Sequence, residues 1–438
     1  MRKSPDAGRL DCVSGREKGR FMLRCVLSIF LGLGFVATVN AQPGALTPLQ
    51  QAQTMLEERP WVEQAAWQAL TQSGLPIVTD HPDNPALARV TFAFRSAENV
   101  RTVRLDSILN APHAAEFVRD YRQDFTLPLT RIGDSRIWHV TIDAARSVPA
   151  TYSFMVETDA GVSRWGDSQN PRQLRGASAE AVFIGDAVTG PAWWTPVPPR
   201  LQRHAETLTI QSAQLNRDVA LEIHRATDPA APVLILYDAF LWGVRAPAWE
   251  IVHNLSAAGR IPPMHVILID QLDPESASVN YTDQSAFVSG ELLPFLRAEL
   301  GLATARGNIV LAGASRRGLS AAITALEHPA EIGNALSLSG SFYWAPTGEA
   351  PEWLARALAP AASLSARFLL AAGTMEYVAN STNQGHVMLA ANDNMVAALD
   401  AAGYQAETMI FDGGHDIAAW RGALAEGLIT LLGEAPGR

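Results

Sequence analysis

Ser315, Glu376 and His415 have the types, the order and the surroundings that a nucleophilic serine requires. Residues 307–318 read GNIVLAGASRRG, an apolar run that ends in small residues around Ser315 and passes at once into the helix-like LSAAITALEHP. A serine on a sharp turn between a buried strand and a helix presents its hydroxyl to a carbonyl carbon, which is how an α/β-hydrolase displays its nucleophile. The GxSxG pattern of that turn is incomplete, because its fifth residue is Arg317. A serine hydroxyl also needs a base to take its proton and a further group to hold the base.

In this fold the chain order is nucleophile, acid, histidine, so the partners are expected downstream. His415 stands in FDGGHDIAAW, where Gly413 and Gly414 form a flexible turn just past an apolar strand. Glu376, in AAGTMEYVANSTN, also follows a strand end and could hold the imidazole and stabilise its charged form. Asp412 and Asp416 compete for the role, although Asp412 still belongs to the strand and Asp416 suits the cap of the next helix. An oxyanion hole takes two backbone N–H groups: one from Arg316, the other from Ala239 or Phe240 in the loop after VLILYD. Taken singly, a serine after an apolar run is more often a helix cap, and a histidine in a turn more often structural; the ordered set carries the reading. Trp193, Trp194, Trp242, Trp344 and Trp420 could line an aromatic pocket or simply pack in the core. Trp242 and Trp344 are assigned, with Arg317, to the substrate-binding side.

The elements that must position these residues follow an α/β pattern. Apolar strands are expected at 233–238, 265–270, 308–313, 335–340, 367–373 and 407–413, with helical segments at 247–258, 286–298, 318–328 and 384–402. Such alternation builds a mostly parallel sheet covered on both faces. Ahead of it, ARVTFAFR, TVRLDSI, RIWHVTID and ATYSFMVETD alternate as short strands of a small all-β sandwich. Residues 45–72 read as a helix with Trp61, Ala65 and Leu70 on one face, and PAWWTPVPPR at 191–200 as a linker. The expected division is a signal peptide at 1–41, helix plus sandwich at 42–195 and a catalytic domain at 196–438.

The chain has 438 residues, 48% of them hydrophobic and 18% charged, which allows a large core and more than one domain. CVLSIFLGLGFVATV at 25–39 follows Arg20 and Arg24 and runs into Val39-Asn40-Ala41, the layout of a secretory signal too short for a comfortable membrane span. Met22 is the expected true start. Both cysteines, Cys12 and Cys25, fall in this presequence, so the exported chain would contain no disulfide and no thiolate. Residues 1–41 carry seven Arg/Lys against three Asp/Glu, so the total of −10 leaves about −14 on the remainder. An acidic exported protein is a poor partner for nucleic acid or anionic membrane, and a bacterial periplasm, or secretion beyond it, suits a chain without disulfides.

With these residues in place, a family resemblance emerges. GASRRGLSAAITALEHPAEIGNALSLSGSFYW and FDGGHDIAAWRGALAEGLITLL resemble the enterochelin esterase family, whose GGHD-x-x-x-W-R ending is here Gly413 to Arg421. YDAFLW (237–242), IPPMHVILID, ELLPFL (291–296) and, nearer the N-terminus, WQALTQSGLPIV, VTFAFR and WGDSQNPRQL are also similar, so the resemblance covers nearly all of the mature chain. It implies an α/β-hydrolase of the esterase D type behind an Ig-like N-terminal domain, cleaving the ester bonds of a ferric catecholate siderophore without a cofactor or metal of its own. Carried over by motif, Ser315 is the nucleophile, His415 the base and Glu376 the acid. The chain departs from the family at Arg317 and Ala239, where glycine is usual. It also has Ala277-Ser278-Val279-Asn280-Tyr281 in place of an Arg-x-x-Glu-Leu segment, which removes an arginine suited to an anionic substrate. Two further expectations stay open: an acetyl or feruloyl esterase acting on polysaccharide, and an inactive ligand-binding relative in which Arg316 and Arg317 block the chemistry.

Overall fold

The computed structural model describes residues 46–110, 126–176, 179–188, 195–198, 205–270, 272, 280–302, 304–363, 365–377 and 387–433. The signal-peptide segment, Trp193, Trp194 and residues 277–279 lie outside them. Thr47 opens helix α1 (Pro48–Glu58) with a capping box: its hydroxyl accepts from the Gln50 N–H while its own N–H donates to the Gln50 side chain. Pro60 then starts a 3-10 turn before α2 (Glu63–Thr71), so the stretch expected as one helix is two. The break also resets the buried face. Trp61 is 79% exposed, and Ala52, Leu56, Ala66 and Leu70 do the packing.

Among the described residues, nine strands between residues 77 and 184 form two antiparallel sheets. One contains β1 (Ile77–Asp80), β2 (Leu87–Arg95), β5 (Thr130–Arg131) and β6 (Ile137–Ala145); the other contains β3 (Val100–Ser107), β4 (Thr126–Pro128), β7 (Pro149–Thr158), β8 (Gly161–Trp165) and β9 (Ala181–Ile184). Alternate residues of both, among them Val90, Phe92 and Trp138 from the first and Leu105, Tyr152 and Phe154 from the second, share one core.

The third sheet has eight strands in the order β10-β11-β13-β12-β14-β15-β16-β17: β10 (Glu206–Ser212), β11 (Arg217–His224), β12 (Val233–Tyr237), β13 (His265–Ile269), β14 (Ile309–Ala314), β15 (Asn334–Leu338), β16 (Arg367–Gly373) and β17 (Gln405–Phe411). The last six run parallel, as the apolar runs anticipate; the antiparallel hairpin β10–β11 extends the sheet at one edge. On one face Val233, Ile235, Tyr237 and Leu311 pack against α4 (Tyr281–Phe287), α5 (Leu293–Ala298), α6 (Arg316–Glu327) and α8 (Met388–Ala401), the short α7 (Trp353–Ala357) lying nearby. On the other, Leu234, Leu236, Val310 and Ala312 pack against α3 (Ala248–Ala257) and α9 (Ile417–Leu432). Burial on both faces explains why these strands read as continuous apolar runs.

The β-sheets at the N-terminal end do not stand apart from this layer. Leu174 and Val182 enter the core beneath α3 and α9. Glu250 of α3, wholly buried, pairs with Arg421 of α9 at 3.3 Å and with Arg175 at 2.9 Å. Burial pushes the Arg421 pKa down, and the Glu250 charge opposes that shift.

Candidate active site

The register of the parallel strands decides what meets what. Leu236 lies beside Ala312, and Ala314 beside Leu338, so the segments leaving β12, β14 and β15 emerge side by side at the carboxyl edge. Ser315 leaves β14 with φ 56° and ψ −124°, a conformation L-residues avoid and surrounding contacts must impose. Its N–H donates to Leu338 O at 2.8 Å, while its carbonyl accepts from Gly318 at 3.0 Å and Ser341 at 3.2 Å.

Two glycines allow the close approach. A Cβ on Gly313 would lie 2.4 Å from the Arg317 carbonyl oxygen, and one on Gly318 would lie 2.4 Å from Ser337 Oγ. The position where glycine is missing is therefore tolerated: Arg317 keeps its side chain because Gly313 and Gly318 have none. Its guanidinium leaves the turn toward α4 and donates to Gln284 Oε1 at 3.2 Å, which also accepts from Ser320 Oγ at 3.0 Å. Burial raises the pKa of Tyr237 to about 12, against the pull of its hydrogen bond to Thr324 and the nearby charge of Arg317.

His415 follows β17 and brings its ring back over Ser315: Nε2 lies 3.0 Å from Ser315 Oγ, and Nδ1 lies 2.7 Å from Glu376 Oε1. Glu376 follows β16 on a turn and is almost completely buried. Its second oxygen accepts from the Gly373 N–H at 2.7 Å and from Ser339 Oγ at 2.8 Å. Ser339 Oγ in turn accepts from Trp420 Nε1 at 2.8 Å, and since an indole N–H can only donate, the Ser339 proton must point at Glu376. Among the described residues, every group whose hydrogen bond reaches the Glu376 carboxylate is thus a donor. A carboxylate held this way accepts the proton on Nδ1, which leaves the Nε2 lone pair for the serine hydroxyl. Trp420 also stands edge-on to the imidazole, with centroids 4.8 Å apart.

The rival carboxylates stand elsewhere. Asp412 is exposed beyond the end of β17. Asp416 is buried and caps α9 by accepting from the Ala418 N–H at 2.7 Å. At the end of β12, Asp238 has φ 74° and caps a π-helical turn, Phe240–Arg245, by accepting from the Leu241 N–H at 3.0 Å. Ala239 and Phe240 head this turn, and Arg316 heads α6 on the neighbouring strand. First-turn N–H groups point out of the N-terminal end of a helix, and both turns begin at the carboxyl ends of neighbouring strands, β12 and β14.

Of the residues expected to touch substrate, Trp242 requires correction. It has no exposed surface and fills the core between the central sheet and α3, which its position two residues after Phe240 did not disclose. Trp344 is half-buried, edge-on to Tyr281 at 4.8 Å and to Trp353 at 6.2 Å. Ser341, absent from the expected set, lies 3.4 Å from Ser315 Oγ. It hydrogen-bonds Tyr343, whose phenol burial pushes up against the opposing effects of that bond and of Arg316. Neither Ser339 nor Ser341 carries a sequence mark that separates it from an ordinary buried serine.

Comparison with known proteins gives a consistent relationship. The model of an esterase family described as "Putative esterase" matches residues 212–431. An iron(III) enterobactin esterase of Escherichia coli K12 is 30% identical over 270 residues, which span 59% of this chain and 64% of that protein, just under two thirds of the relative's length. An iron(III) enterobactin esterase of Dickeya dadantii is 25% identical over 91% of this chain and 96% of its own. The fold is similar to the enterobactin esterase of Shigella flexneri crystallised in the presence of enterobactin, with TM-score 0.69 and 22% identity over 84% of this chain and 97% of that one.

Proposed function

Starting from a chain that belongs to this esterase family, we propose that it is a serine esterase whose substrate is a ferric catecholate siderophore of the enterobactin type. The observation that carries the reading is the unbroken chain Ser315–His415–Glu376, with hydrogen bonds of 3.0 and 2.7 Å. His415 Nε2 takes the proton of Ser315 Oγ as the oxygen attacks the ester carbonyl. Glu376, held by Ser339 and Gly373, keeps the Nδ1 proton in place and stabilises the imidazolium. The developing oxyanion is met by the backbone N–H of Arg316 and that of Ala239 or Phe240. His415 then protonates the leaving alkoxide, and an acyl group remains on Ser315. Water, deprotonated by the same nitrogen, releases the acid and restores the serine.

The substrate class rests on the relatives, which are named for iron(III) enterobactin and salmochelin. Trp344, half-buried and edge-on to the buried Tyr281, offers an aromatic surface to catechol rings, and Tyr281 stands in the segment where the expected arginine is missing. The presequence at 25–39 supports export to the periplasm, which the mass of the protein recovered from that compartment would check.

The decisive experiment labels the chain with a fluorophosphonate and compares its turnover of a ferric catecholate trilactone with that of a feruloylated sugar. Labelling of the native chain, none in Ser315→Ala, and preference for the trilactone are expected. Hydrolysis of p-nitrophenyl butyrate by Ser315→Ala at the native rate would remove the serine mechanism, and preference for the sugar ester would move the substrate class to polysaccharide.

A further inference from the structure

The turn that carries His415 is held from two sides, and only one belongs to the central sheet. From that sheet, Met375 N donates to Gly413 O at 2.7 Å and Gly413 N donates to Thr374 Oγ1 at 3.3 Å. From the opposite side comes β7. The Thr151 N–H and hydroxyl both donate to Asp416 Oδ2, at 3.0 and 2.6 Å, while Oδ1 of the same carboxylate accepts from Ala418 N. The pairing of β3 with β7 ends at Ser107 and Tyr152, so Thr151 stands one residue past it, with its N–H turned to Asp416.

Asp416 directly follows His415 and is buried. Burial pushes its carboxyl pKa up, and the three donors pull the other way. Contacts around the pair are equally close. A Cβ on Gly414 would lie 2.5 Å from Ile108 Cγ1, and Met375, next to Glu376, packs on the core shared by the two small sheets. The residue after Thr151 is anchored in turn: Tyr152 donates to Asp167 Oδ2 at 2.7 Å and accepts from Asn170 Nδ2 at 3.0 Å. Asp167 and Asn170 belong to the WGDSQNPRQL segment, whose polar residues therefore brace β7.

We propose that Thr151, through Asp416, is a positioning residue for the reaction, making the N-terminal β-sheets one wall of the mount that holds His415 over Ser315. The inference rests on Ser315, His415 and Glu376 acting as the catalytic chain. The bond spans 265 positions of sequence and joins a β-sheet domain to the residue beside the base, a place where small displacements act on the chemistry. A misplacement of the order of an ångström costs up to about a hundredfold in rate.

The test compares Thr151→Val, which keeps the side-chain shape without the hydroxyl, with Thr151→Ser, which restores it. Asp416→Asn is the second cut. Its amide has a single acceptor oxygen, so it can serve Ala418 or Thr151 but not both. The readouts are the rate of fluorophosphonate labelling of Ser315, and kcat and KM on p-nitrophenyl butyrate, with the melting temperature alongside. Labelling and kcat should fall about tenfold in Thr151→Val and Asp416→Asn, with KM within about twofold, and Thr151→Ser should recover to within about twofold of native. Native labelling and kcat in a Thr151→Val protein that melts earlier would overturn the proposal, since the bond would then be structural only. Failure of the native chain to label would instead overturn the serine reading, and this inference with it.

Discussion

At the amino ends of the parallel strands, the described residues with left-handed backbone are glycines: Gly259 before β13, Gly301 before β14 and Gly403 before β17. At the carboxyl ends of three neighbouring strands they are Asp238, Ser315 and Ser339, with φ of 74°, 56° and 49°. The glycines close helices. Arg260 N donates to Leu255 O and Tyr404 N to Leu399 O, the bonds expected where a left-handed residue ends a helix without steric penalty. The three side-chain-bearing residues each cost roughly 1–3 kcal/mol and each supplies a polar group to the site: the carboxylate that accepts from the Leu241 N–H, the hydroxyl beside His415, and the hydroxyl that holds Glu376. One edge of the sheet is built for chain reversal at least cost, the other for side chains in places that chain reversal alone would give to glycine.

The largest test of that contrast is Glu376→Gln. Replacing an oxygen whose partners among the described residues are all donors should lower kcat on the order of ten-thousand-fold, measured as single turnover of p-nitrophenyl butyrate. A variant keeping about a tenth of native activity would move the role to another group. Ser339→Gly should separate function from strain: kcat falls about tenfold or more through loss of a charge-assisted hydrogen bond, while the melting temperature holds or rises as the φ penalty disappears. Lower stability with native kcat would reverse the meaning of that edge. Gly259→Ala is the opposite case. No atom of the described residues lies within 4 Å of the added Cβ, so the change should cost about 1 kcal/mol in urea unfolding, from backbone strain alone, and leave kcat untouched.

The smallest effect is expected from His265, which opens β13 at the amino edge. Its Nδ1 accepts from Ala226 N and its Nε2 donates to Asp228 O, so the ring is held neutral, and burial pushes its pKa below the ordinary 6.5. The unfolded chain therefore takes up a proton that the folded chain refuses. The stabilising contribution is full above the ordinary value and is lost as pH falls below it. Urea midpoints at about pH 7.5 and about pH 5.5 should differ less in His265→Gln than in the native chain; an equal difference would remove His265 as a source of acid sensitivity.

How far the sequence discloses this arrangement depends on whether a feature is local. The six parallel strands are legible because burial on both faces writes them as unbroken apolar runs. Ser315, Glu376 and His415 stand just past the ends of three such runs, β14, β16 and β17, so all three fall on the same edge once these strands run parallel in one sheet. Pro60 marks the break between α1 and α2, yet the helical spacing of Trp61 with Ala65 and Leu70 concealed it. Trp242 was misplaced because the π-helical turn after β12 rotates it into the core, and no local pattern predicts that turn. Ser339 and Thr151 stayed hidden for a further reason: their roles depend on partners 37 and 265 positions away, which only the packed chain brings near.

The elbow glycines leave a mark on descent. Gly313 faces the backbone of Arg317, so no side chain fits there whatever residue stands at 317, whereas the side chain at 317 itself projects toward α4. A lineage can exchange Arg317 without disturbing the turn at Ser315, because Gln284 Oε1 keeps the hydrogen bond from Ser320 Oγ. Searches for relatives of this chain should therefore demand G-x-S-x-x-G, with the second glycine one place later than usual, and treat the residue between as a free letter.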